Sequence, residues 1–224
     1  MALCPFAKHL LIPPPSSDPR ITPRAVVLHV DAGGASSLFS YFRDRSGGIE
    51  SHFHVTWRGV IEQYRDTGWQ ADANYKANDF AISIETQGFG NGTWNKRQIE
   101  AIGRLLLWLH QEHAIPLEKI KTWDGSGVGY HVQFGSPGPW TPVAKSCPGP
   151  NRIKQFDEVL VPWMAEQARK LAPKVKQTRG PLVDHALRDL TARRKKAKDP
   201  AVRKALRQAK QVLKSLPSWP KKRR

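Results

Sequence analysis

The positive charge of this chain is concentrated at one end. Of a net +17, the residues from Leu171 onward hold +15, from 10 Lys and 8 Arg against 3 Asp, so the 170 residues before them share only +2. A stretch so cationic cannot bury a sizeable core. The main fold is therefore confined to residues 1–170, a length ordinary for one domain. Residues 171–180 read as a polar linker bounded by Pro and Gly. Beyond it, in 181–224, Leu182, Val183, Ala186, Leu187 and Leu190 recur at helical spacing, and Val202, Leu206, Ala209, Leu213 and Leu216 form a second stripe. Asp199 before Pro200 supplies an N-cap and a first helical residue for that second stripe, so the tail is expected to be a basic helical hairpin. Its expected partner is an anionic wall polymer or membrane surface. Trp219 is its single aromatic residue, which leaves little for base stacking, and no specific nucleic acid is expected.

In the body, residues 25–30 (AVVLHV) are an apolar run ending in Asp-Ala-Gly-Gly, the signature of a buried strand entering a loop. Residues 36–42 can open a helix. HFHVTWRGVIEQY reads as two strands meeting at Arg58–Gly59, and FAISIE (80–85) as another strand. The clearest helix begins at Asn95, which stands in capping-box spacing with Gln98 and precedes Ile99, Ile102, Leu106 and Leu109 on one face. A further helix is expected over 152–163. Strands and helices alternate irregularly around a tight hairpin, so the fold class is α/β, with a mixed central sheet flanked by helices.

Cys4 and Cys147 are the two cysteines, too few for a disulfide framework, and nothing in the sequence supports a bridge between them. The N-terminus lacks a basic region ahead of a sustained apolar stretch, and no later run has the ~18 apolar residues of a membrane span. The chain is expected to be made and held in the cytoplasm. Among eight histidines, His29 stands out because a polar side chain inside an apolar strand needs a bond or a metal. His131 lies in a Gly- and Pro-rich segment, and Cys147 in another, KSCPGP. Two imidazoles and a thiolate form a legitimate zinc set with a fourth position open for catalysis. The spacing leaves His52 and His54 in competition for the role, since at i, i+2 in a strand they share a face.

Taken in order, VVLHVDAGG, SHFHVTWRGVIEQY, NDFAISIETQG, GYHVQFG and KSCPGP resemble the zinc-dependent N-acetylmuramoyl-L-alanine amidases of type 2, a family that includes phage endolysins and is related to peptidoglycan recognition proteins. The resemblance spans about residues 20–165 and does not reach the tail. It implies Zn2+ held by His29, His131 and Cys147, with Lys145 two residues before the last ligand and Glu85 closing the Ile-x-Ile-Glu strand. Glu85 would carry the proton and Lys145 would face the developing oxyanion. Several members have a tyrosine where this chain has Ser51, so that tyrosine's role does not transfer. His52, Trp69, Tyr75, Asn78 and Trp140 are candidates to line the substrate groove. The function implied is hydrolysis of the amide between N-acetylmuramic acid and L-alanine in peptidoglycan. The expected setting is a monomeric phage endolysin that reaches the wall after release. A non-catalytic peptidoglycan binder and a cell-encoded autolysin or recycling amidase are the alternatives.

Overall fold

Two strands set the centre of the fold, because each is covered on both faces. The computed structural model describes residues 2–15, 17–44, 50–172 and 181–215. In it β2 (Ala25–Leu28) is buried at every position, and β5 (Ala81–Thr86) at every position but Glu85. They run parallel, with Val26 opposite Ile82 and Leu28 opposite Ile84. Because strand side chains alternate, those four meet Ile102, Leu105, Leu106 and Leu109 of helix α2 (Lys96–His113) on one face. On the other face Ala25, Val27 and Ala81 pack against Phe80, Ile120 and Trp140. Cover on both faces is what makes these strands read as unbroken apolar runs.

The remaining strands are β1 (Lys8–His9), β3 (Phe53–Val55), β4 (Ile61–Gln63) and β6 (Gly127–Tyr130), giving a six-stranded sheet in the order β1-β4-β3-β5-β2-β6. Only β3 and β4 are antiparallel neighbours, joined by the expected turn at Arg58–Gly59. Gly59 adopts φ 77°, where a side chain would be strained and would press on the Arg97 carbonyl. The α/β architecture with a mixed sheet flanked by helices is thus the one observed.

Helix α1 (Phe39–Asp44) starts later than expected, with Ser36 and Ser37 outside it. The cap of α2 forms as the sequence indicates: Asn95 Oδ1 accepts the Gln98 N–H at 3.0 Å and Gln98 Oε1 accepts the Asn95 N–H at 3.2 Å. The last helix of the body is longer than 152–163. It comprises α3 (Pro150–Gln155), a π-helical turn (Phe156–Leu160) and α4 (Val161–Leu171). Pro162 cannot donate to the ladder, and the wide turn just before it is where such an irregularity is absorbed. Both cysteines are free, Cys4 in the core, so no bridge to Cys147 exists.

Residues 1–171 form one compact unit and 172–224 another. In the second, α5 (Pro181–Lys196) and α6 (Pro200–Ser215) pack on each other, and Asp199 Oδ1 caps α6 by accepting the Ala201 N–H at 2.7 Å. Leu187, Leu190 and Leu206 are half-buried between cationic surfaces. The linker residues 173–180, and the end of the tail with Leu216 and Trp219, lie outside the described residues. Among those described, no helix is long and apolar enough to cross a membrane.

His52 lies in the interior of the body. Its Nδ1 accepts the Ser83 N–H at 3.1 Å, which makes Nε2 the protonated nitrogen, and that nitrogen donates to the Trp69 carbonyl at 2.9 Å. Burial pushes the ring down to about 4 from its usual 6.5, so it folds neutral. The unfolded chain then takes up the proton first. This contribution to stability is intact above about pH 6.5 and is lost as pH falls towards 4, amounting to about 3 kcal/mol. Urea unfolding at pH 7 and pH 4 is expected to show it. In His52→Leu the loss across that window shrinks by the same amount, from a lower stability at pH 7.

Candidate metal centre and active site

Parallel strands deliver side chains to a crevice beyond their carboxyl ends, and three candidate residues arrive that way. His29 follows the last residue of β2, its backbone still held in the sheet by an N–H bond to Ile84 O (2.9 Å) and by Thr86 Oγ1 donating to its carbonyl (2.6 Å). His131 follows β6 and donates its N–H to Leu28 O. Glu85 is on β5, on the face opposite α2 because its neighbours Ile82 and Ile84 face that helix. The fourth, Cys147, comes on a loop whose thiol accepts the Val30 N–H at 3.3 Å. Gly149 (φ 94°) lets that loop lie against the backbone of Gly90, where any side chain would collide with the Gly90 carbonyl. A cleft of about 490 Å³ is lined by His29, Glu85, His131, Lys145 and Cys147 together with Tyr75 and Asn78.

Asn74 orients the first histidine. Its Nδ2 donates to the Ala81 carbonyl at 3.1 Å, which leaves Oδ1 facing His29 Nε2 at 2.7 Å. That nitrogen must therefore carry the proton, and the lone pair is left on Nδ1. Nδ1 lies 3.7 Å from Cys147 Sγ and 3.9 Å from Glu85 Oε1. Asn78 steadies Asn74 in turn, accepting its N–H at 2.7 Å and donating to Asp72. The Nε2 of His131 is buried and has no hydrogen-bond partner among the described residues. Burial, helped by Lys145, pushes that ring down to about 4, so it too offers a neutral nitrogen.

Zinc fits these donors. One nitrogen or sulfur from each of His29, His131 and Cys147 lies within 4.8 Å of the others. Bonds of ~2.3 Å to sulfur and ~2.0 Å to nitrogen at a tetrahedral angle separate the two donors by ~3.5 Å, close to the 3.7 Å between Sγ and Nδ1. The orphaned His131 nitrogen needs a partner at this point. Burial and then the Glu85 charge push the Cys147 thiol up, so a cation is what would draw its proton off. A second group, Asp18, Glu50 and Asp72, is as closely spaced, but the buried Arg65 guanidinium already ion-pairs with Asp18 and Glu50 and fills the place of a cation.

Glu85 is 15% exposed and its Oε2 has no hydrogen-bond partner among the described residues. Burial, then the charge of Asp31, push its carboxyl up to about 8. A carboxyl poised near neutrality suits proton transfer in both directions. Lys145 is exposed on the cleft wall, its backbone held by Ser136 Oγ at 2.6 Å.

The other candidates divide. Tyr75 and Asn78 do line the cleft, Tyr75 with its ring 5.7 Å from that of His131 and a left-handed backbone at φ 49°. His52 and Trp140 do not: both are buried, and Trp140 packs against Phe134 and donates to the Trp123 carbonyl. Trp69 lies under the Arg20 guanidinium, away from the cleft lining. The rings of His52 and Trp140 fill the interior, whereas Trp69 is half-exposed outside the cleft lining. His54 faces Asp31 at 3.4 Å beneath the sheet surface, and Ser51 is buried and bonded to the Phe53 carbonyl. Asn74 is absent from the sequence-level candidates, since an asparagine in NYKAN carries no periodic or motif signal.

Solved structures with the same fold include the selenomethionine derivative of AmpD (TM-score 0.52, 19% identity, 71% of this chain and 96% of that one). A point mutant of PlyL (0.52, 15%, 73% and 98%) and the Drosophila peptidoglycan recognition protein SA (0.51, 15%, 69% and 93%) are similar to the same extent. At such identities the likeness is one of fold. No curated protein sequence matches. The family model for N-acetylmuramoyl-L-alanine amidase, Amidase_2, matches residues 19–150, a span that holds all three candidate ligands, Glu85 and Lys145, and the chain belongs to that family.

Proposed function

We propose that this chain hydrolyses the amide joining the lactyl group of N-acetylmuramic acid to L-alanine of the peptidoglycan stem peptide. The observation that carries the reading is the convergence of His29 Nδ1, the partnerless His131 Nε2 and the Cys147 thiol on a cleft that also holds a carboxylate and an ammonium. A zinc ion held there supplies a Lewis acid that polarises a carbonyl and lowers the pKa of water. The Glu85 carboxylate takes the proton of the attacking water as its oxygen bonds to the carbonyl carbon. It returns that proton to the nitrogen as the C–N bond breaks, which turns a poor leaving group into a neutral amine. Lys145 places its ammonium beside the oxygen that becomes negative. Asn74 keeps the His29 ring turned with its lone pair inward throughout. Tyr75 and Asn78 shape the wall the stem peptide passes.

The setting we propose is lysis of a bacterial host by a phage endolysin acting as a monomer on the wall. The helical tail supplies attraction to an anionic polymer or membrane headgroups, since its charge faces solvent along both helices. Mass spectrometry of purified sacculi after incubation with the protein tests the chemistry. Free stem peptides with an L-alanine amino terminus are expected, with intact glycan strands left behind. Binding without release would assign the chain to the non-catalytic alternative. In the same assay Lys145→Met is expected to lower kcat by about 10²–10³ with KM little changed, because the ammonium acts on charge present only in the transition state.

A further inference from the structure

Trp57 and Phe89 are large aromatic residues left 42% and 57% exposed, with ring centroids 6.3 Å apart. Loose surface aromatics need no explanation, but the backbone of these two is held by neighbouring side chains, of which Gln87 and Arg152 are buried. Gln87, 5% exposed, accepts the Trp57 N–H at 2.8 Å and donates to the Gly34 carbonyl at 2.7 Å. Asn95 donates to the Trp57 carbonyl at 3.0 Å, and the buried Arg152 donates to the Phe89 carbonyl at 2.7 Å. Gly34 gives the rings their seat: a β-carbon there would stand 2.9 Å from Phe89 and 3.4 Å from Trp57. The backbone is thus fixed while the rings stay open to solvent, the arrangement of a preorganised contact surface.

The surface is continuous with the cleft. Gly90, next to Phe89, lines it, and Asp31 Oδ1 ties the two loops together by accepting the N–H groups of Gly34 and Gly88. On its other side Trp57 walls a depression of about 560 Å³ whose lining includes Lys8, Ser36, Arg58 and Glu62. Two ring faces bordered by donors and acceptors of both charges match a neutral polyol with apolar C–H faces. A lipid surface or an apolar helix would require a broader, continuous apolar patch.

We propose that Trp57 and Phe89 form a stacking platform for hexosamine rings of the glycan strand, which they hold beside the cleft. The proposal rests on the amidase reading for the identity of the strand, and its test does not depend on cleavage. Calorimetric titration with N-acetylchitotetraose is expected to show binding by the wild-type protein and at least about tenfold weaker binding by Trp57→Ala/Phe89→Ala, with Trp57→Phe keeping most of it. On substrates, the double variant is expected to lose about tenfold in kcat/KM on sacculi while cleaving a single muramoyl dipeptide as the wild type does. Both side chains are exposed, so the thermal midpoint should be unchanged. Oligosaccharide binding that is absent in the wild type, or equal in wild type and variant, overturns the platform even if stem peptides are released. So does an equal loss on both substrates. A dimer that the double variant dissociates, without saccharide binding, would give the rings to a second copy of the chain instead. If no amide is cut but the tetrasaccharide binds through these rings, the platform stands and the amidase reading falls.

Discussion

Cys147→Ala is expected to purify with little zinc and to lose at least about 10³-fold in kcat/KM on peptidoglycan. The reason lies in how few donors the cleft has. Of the groups facing its centre, the two imidazoles are held neutral and contribute no charge. The thiol is the ligand able to become an anion, its proton leaving to solvent as a cation takes its place. Two neutral imidazoles, their ring centroids 4.5 Å apart, hold a dication weakly without it. Metal analysis of the variant beside the wild type, at equal protein concentration, gives the first readout, and the rate of stem-peptide release gives the second. Cys147→Asp separates charge from sulfur: a carboxylate also completes the set, so substantial zinc and part of the activity should return. Full metal and full activity in Cys147→Ala would exclude the thiol from the site. His54, whose Nε2 faces Asp31 at 3.4 Å, would then return as a candidate ligand.

How far the site could be read from the sequence depends on how each residue reaches it. His29 was legible because it interrupts an apolar strand that both faces of the sheet require. Cys147 and Lys145 were legible through the resemblance, which the family match bears out at the level of the family. His131 was placed without its strand. β6 reads GVGY, and its glycines conceal it, since their flexibility argues against a strand. The glycines are there for close packing. A β-carbon on Gly129 would stand 2.8 Å from Ile120 and from Gln133, and one on Gly127 would press on the Glu118 carbonyl. β1 is two residues at the sheet edge, too short for any period to register. The aromatics divide for the opposite reason. Trp140 lies in a loop and Tyr75 opens a single 3-10 turn, yet one is 1% exposed and the other 39%, a difference decided by tertiary packing. The two basic helices were legible because Asp199–Pro200 is a local start signal and helical spacing is local too, while of the second stripe Leu206 is half-buried and Val202 stays 47% exposed.

Glu85→Gln is expected to keep its zinc and lose about 10²–10⁴ in kcat. The amide is close in size to the carboxylate and retains an acceptor oxygen, so the cleft walls need not move. It cannot take a proton from water at neutral pH, and it has none to return to the amine. The loss should therefore fall on kcat with KM nearly unchanged, unlike Cys147→Ala, where metal content falls as well. The surroundings make the substitution mild for the fold. Oε2 has no hydrogen-bond partner to lose, and the approach of Oε1 to His29 at 3.9 Å is too long for a bond. Replacing a carboxyl that burial, and then Asp31, already hold largely protonated near neutral pH removes an ionisation the fold disfavours. The variant should accordingly unfold at the same temperature as the wild type or above it, as is common when a group kept for activity in an unfavourable place is replaced. A calorimetric melt with metal analysis on the same sample checks both halves. A full rate with intact zinc would remove Glu85 from the chemistry and leave the proton to a group outside the set assigned to this cleft.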